Sequence, residues 1–137
     1  MSIHEQESVM EKYYSEAMRY MANAKGYLKD AQKEGDFYLD KKYVKTACAT
    51  AYSGLLVAMD GFLQVKDIKP KFKDRKSIEF YQRNIAIIDK KMLDKLNCAC
   101  EILNRGYYDG ITSVKVVKEG FDLAYKLIDK IKPTQST

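Results

Sequence analysis

The residue types that do most enzyme chemistry are nearly missing from this chain. Its only histidine is His4 in 137 residues. That residue precedes the first long amphipathic stretch, where no core can orient an imidazole as base or nucleophile partner. The three thiols, Cys48, Cys98 and Cys100, fall inside helical patterns, and Cys98 and Cys100 diverge onto different faces. Neither a disulfide framework nor a zinc site is spaced that way, so they read as reduced, buried or half-buried thiols of a cytoplasmic protein. No Glu-x-x-His pair for a di-iron centre and no Gly-rich phosphate loop occurs. The carboxylates of Asp89, Asp94 and Glu101 sit on outward, Lys-rich faces as salt-bridge partners. No cofactor and no metal are expected.

Two other chemistries remain. From Lys66 to Lys76 six basic residues face only Asp67 and Asp74, so this segment carries +4 of the formal net charge of +5. Lys69, Lys71, Lys73, Arg75 and Lys76 could hold a phosphate backbone, with Phe72 available to stack on a base; the alternative is a solvated linker. The eleven tyrosines, with no tryptophan, are the second signal. An apolar ring with a polar tip suits the edge of a core, a groove or an interface between copies. Tyr13, Tyr20 and Tyr27 on the first helix, with Tyr107 and Tyr108 near the last turn, are the candidates.

The elements that must position these residues are helical. Apolar steps of three and four predict helices over about 8–34, 39–65, 74–105 and 112–132. The first is opened by a Ser8–Glu11 capping box and stopped by Gly35. The second carries many small residues, and Gly54 and Gly61 within it imply close approach of a neighbouring helix. Asp74 is the expected cap of the third and Gly106 its stop, after which Tyr107-Tyr108-Asp109-Gly110 turns the chain. The spacing predicts one all-α domain over 1–137, an up-down-up-down antiparallel four-helix bundle with a disordered tail over 133–137. No signal peptide is read near the N-terminus. No run of apolar residues approaches a membrane span, because charges interrupt every helix.

The second helix, Lys42-Tyr-Val-Lys-Thr-Ala-Cys-Ala-Thr-Ala-Tyr-Ser-Gly-Leu-Leu-Val-Ala-Met-Asp-Gly-Phe62, resembles that of the HEPN superfamily of four-helix bundles. The Tyr27-Leu-Lys-Asp-Ala31 end of the first helix and the passage from Tyr107-Tyr-Asp through the last helix are similar too. The chain also resembles small Bacteroidetes proteins of unknown function. The HEPN resemblance implies the bundle and, for active members, a metal-independent ribonuclease with an Arg-x4-6-His motif at a homodimer interface. Here Arg83 is followed at those distances by Ile88, Asp89 and Lys90, and Arg105 by Gly110, Ile111 and Thr112. No histidine stands in either window, so that role passes to no residue of this chain.

Three functions are compatible with these residues. The favoured one is a non-catalytic, HEPN-like binding or protein-interaction module, a homodimer through its tyrosine-rich or small-residue faces. The second is a nucleic-acid or nucleotide-binding module using the basic segment. The third is an atypical ribonuclease built on Arg83, Arg105, Tyr107 and Asp109.

Overall fold

The computed structural model describes residues 1–70 and 77–134. Its elements are α1 (Ile3–Ala31), β1 (Lys33–Glu34), β2 (Phe37–Tyr38), α2 (Lys41–Val65), α3 (Ile78–Ile88), α4 (Lys90–Tyr108) and α5 (Val114–Ile128), followed by a 3-10 turn over Asp129–Ile131. The chain is all-α apart from the two-residue antiparallel ribbon of β1 and β2.

The first helix starts earlier than expected because Ser2 caps it. Its side-chain oxygen accepts from the Glu5 N–H at 3.1 Å, the same Ser-x-x-Glu spacing as Ser8–Glu11 but one that captures two more turns. His4 therefore lies in the first helical turn, exposed. At the other end Gln32, with φ of 56°, ends the helix; Gly35, with φ of 60°, serves the β-turn instead.

One expected helix, 74–105, is two. Asp89 adopts an extended conformation, its N–H donates to the Ile85 carbonyl at 2.8 Å, and its carboxylate accepts from the Met92 N–H at 3.1 Å. A single residue thus closes α3 and caps α4. The Gln82 amide donates to Asn97 Oδ1 at 2.9 Å across fifteen positions of sequence. In one straight helix those residues would be about 22 Å apart, so α3 folds back beside α4. Ser77 caps α3, whereas Asp74 lies outside the described residues. Gly106 does not stop α4: it is buried within the helix, where a methyl group would overlap the Cys48 sulfur, and the turn is made by Gly110 with φ of 76°. The last helix is shorter than 112–132, because Ser113 caps it and its final residues tighten into the 3-10 turn. Of the expected disordered tail, residues 135–137 fall outside the described residues.

Packing is organised around α2, which contacts α1, α4 and α5. The α1–α2 seam is a register of tyrosine on glycine. A Cβ at Gly54 would lie 2.7 Å from the Tyr20 Cβ, and one at Gly61 would lie 2.5 Å from the Tyr13 Cβ. Both partners step by seven residues in opposite directions, so the two helices run antiparallel at close range. Cys48 against Gly106 and Tyr52 hydrogen-bonded to Asn104 set α2 antiparallel to α4 in the same way, and Tyr81 on Asp60 ties α3 to α2. Leu55, Met59, Ile85, Leu96, Leu103, Leu127 and Ile128 are buried at the centre. Among the described helices α2 alone is long and apolar enough to cross a membrane, with mean hydropathy of 1.2 over its best window, which corrects the expectation that no stretch comes near. Half of that window is buried.

Candidate functional site

The connections at one end of the helices build the clearest surface feature. After α1, the chain turns through Gly35-Asp36 and returns as Phe37–Tyr38. The returning strand is stitched to the α4–α5 connection: Tyr38 N–H donates to the Thr112 carbonyl at 2.7 Å, Val114 N–H donates to the Asp36 carbonyl at 2.9 Å, and Phe37 bridges Ser113. Side chains alternate along an extended strand, so Tyr38 turns inward and is buried while Phe37 and Leu39 turn outward at 59% and 58% exposure. Burial and, secondarily, the nearby Cys48 thiol raise the Tyr38 phenol above its ordinary pKa, so it stays neutral.

Tyr107 and Tyr108 stand in the last turn of α4, immediately before the connection that this strand grips. Their rings meet edge to face, with centroids 4.8 Å apart, and are 47% and 71% exposed. They form a groove of about 480 Å³ with Lys45, Thr46, Ala49 and Thr50 of α2. The Thr46 and Thr50 hydroxyls donate back to the Lys42 and Thr46 carbonyls at 3.2 and 2.8 Å. Four large exposed side chains thus stand on the segments that meet at this end: Phe37 and Leu39 on and just after the returning strand, and Tyr107 and Tyr108 at the close of α4.

The five tyrosine candidates for a core edge, a groove or an interface stand in different places. Tyr13 and Tyr20 are half-buried along the α1–α2 seam, and Tyr13 Oη donates to Gln64 Oε1 at 2.8 Å. Tyr27 stands on α1 at 38% exposure. Only Tyr107 and Tyr108 lie at the hairpin end, on whose strand Phe37 and Leu39 are also exposed. The apolar triplet Phe37-Tyr38-Leu39 between Gly35-Asp36 and Asp40 is the sequence signal for those two, since a strand there leaves two of three rings or branches outward. Of the basic candidates, Lys69 is exposed beyond the end of α2; Lys71, Lys73, Arg75 and Lys76 lie outside the described residues.

Every resolved pKa shift moves a group further from reactivity. Burial pushes the Cys48 and Cys100 thiols up to about 12, and burial with the hydrogen bond to Asp60 raises the Tyr81 phenol. Tyr81 Oη donates to Asp60 Oδ1 at 2.7 Å, a charge-assisted bond between α3 and α2. Among the described residues no three His, Cys, Asp or Glu side chains gather closely enough to hold a metal ion.

Helical packing closed by a two-stranded ribbon defines a class, a small all-α protein. The chain belongs to the family described as Domain of unknown function (DUF5618), whose profile matches residues 12–133. It is similar to the solved structure of a protein of unknown function from Dyadobacter fermentans, with 41% identity over 88% of this chain and 94% of that one and a TM-score of 0.80. No curated protein matches it.

Proposed function

We propose that this chain is a HEPN-like four-helix bundle, with α4 as the third leg of an up-down-up-down arrangement and α3 folded against it. In this reading it is a non-catalytic interaction module of the cytoplasm that forms a homodimer through the hairpin end. The exposure of Phe37, Leu39, Tyr107 and Tyr108 on segments that meet at one end carries the reading, because large apolar side chains left in solvent favour an association surface. The charges around them support a second copy as the occupant. Lys33, Lys41, Lys42, Lys45 and Arg105 are nearly balanced by Glu34, Asp36, Asp40 and Asp109, and an isologous contact needs both signs on one surface. Three unpaired thiols suit a reducing compartment. The neutral, protonated state of the buried phenols and thiols supports a role without chemistry.

Sedimentation equilibrium over about a hundredfold concentration range tests this. The wild type is expected to approach twice the 15.8 kDa chain mass, and Phe37→Ser with Tyr108→Ser to remain at the chain mass with an unchanged circular dichroism spectrum. A monomer at every concentration, or a dimer indifferent to both substitutions, would refute it.

A further inference from the structure

We propose that the opposite end of the molecule is a binding pocket for a small aromatic anion, held at its charged group by Lys69 and Gln64. This inference is independent of the dimer, since Gln64 stands about 28 Å along α2 from Lys45 of the hairpin end. A cavity of about 380 Å³ opens there between α1, the end of α2, the segment that follows it and α3. That volume is at the lower end of the range for small-molecule sites. One wall is apolar, made by Leu63, Ile68, Pro70 and the Phe80 ring, which itself stands edge-on to Tyr81 at 5.5 Å. A flat aromatic body can lie against such a wall.

The polar side of the cavity is set by a hydrogen bond. Tyr13 Oη donates to Gln64 Oε1 at 2.8 Å, which fixes the amide and leaves Nε2 as its donating group. Lys69 lines the same cavity and also an adjoining depression of about 590 Å³, where His4 and Gln64 are found as well. An amide donor and an ammonium at the junction of two depressions suit a carboxylate or a phosphate. The described residues that follow α2 have the same sign, since Lys66 and Lys69 outnumber Asp67. Asp60 also lines the cavity, and its charge is engaged by the Tyr81 hydroxyl that ties α3 to α2. A cation seeking Asp60 is therefore the competing ligand that an experiment must include.

Isothermal titration of the whole chain with phenylacetate, phenyl phosphate, benzyl alcohol and benzylamine, each to about 10 mM, separates these cases. Phenylacetate or phenyl phosphate is expected to bind about tenfold more tightly than the two probes without negative charge, and their ratio tells carboxylate from phosphate. Lys69→Gln, at an exposed position that leaves the fold intact, is expected to weaken the anion about fivefold and leave benzyl alcohol unchanged. The proposal is overturned if benzylamine binds tightest, if the anions bind no better than benzyl alcohol, if Lys69→Gln has no effect, or if no probe binds.

Discussion

Adding one methyl group at Gly54 opposes two effects of similar size, and the geometry decides between them. In an exposed helix, alanine is more stable than glycine by about 1 kcal/mol. At Gly54 the new Cβ would stand 2.7 Å from the Tyr20 Cβ and 3.2 Å from the Ala17 carbonyl oxygen. Carbon atoms in contact need about 3.5 Å or more, so the overlap approaches 1 Å. Neither Cβ can rotate away, because each is fixed by its own backbone, and α1 must be levered off α2 along the seam. Overpacking costs about 1 to 3 kcal/mol, and an overlap between two fixed Cβ atoms falls in the upper part of that range, so after the propensity gain of about 1 kcal/mol Gly54→Ala should end about 1 to 2 kcal/mol less stable than wild type. Gly26 on α1 is the control, since a Cβ there meets nothing within 4 Å and the propensity gain should appear undiminished. For a chain of this length each kcal/mol moves the Tm by about 3.5 °C. Thermal melts followed by circular dichroism should therefore place Gly54→Ala about 4 to 7 °C below wild type and Gly26→Ala up to about 3 °C above it. A Gly54→Ala protein as stable as wild type would refute the close-packed seam.

The buried thiols give a second prediction: Ellman's reagent should modify Cys98 in the native protein and all three cysteines only in denaturant. Because burial raises the Cys48 and Cys100 pKa from the ordinary 9.0 to about 12, their contribution to stability is intact below pH 9 and declines as pH rises toward 12. The raised Tyr38, Tyr52 and Tyr81 phenols act in the same direction above pH 10, so the urea midpoint should fall from pH 9 upward; a flat profile to pH 11 would contradict this. Asp89→Ala should cost about 1 kcal/mol through loss of the α4 cap, read as a lower urea midpoint, and Asp89→Asn should restore most of it.

The helical class and the second helix were legible in the sequence because α2 has a strong period and ends where its apolar pattern ends. The break at Asp89 was not, since Ile88 and Met92 keep a step of four across it and periodicity cannot distinguish one helix from two that share a phase. Gly106 misled for a physical reason: glycine serves both as a helix stop and as the residue that admits a neighbour, and only the Cys48 sulfur shows which role applies. At the N-terminus two capping boxes competed, and nothing after Ser2 breaks the earlier one. The tyrosine count flagged an unusual surface, but its grouping depends on tertiary pairing. Tyr13 and Tyr107 look alike in sequence and stand at opposite ends of the helices.

The hairpin's bond to the α4–α5 connection gives the molecule an asymmetric way of loosening. Tyr38, Val114 and their backbone partners tie two connections lying more than seventy residues apart in sequence. At that end α1–α2 cannot separate from α4–α5 without breaking main-chain hydrogen bonds. At the other end α3 is joined to α2 through side chains, chiefly Tyr81 on Asp60. Breathing motions should therefore hinge on the buckled end and open the end that carries Lys69 and Phe80. The rigid pole is then the one proposed to meet a second copy, and the loosening pole the one proposed to admit an aromatic anion.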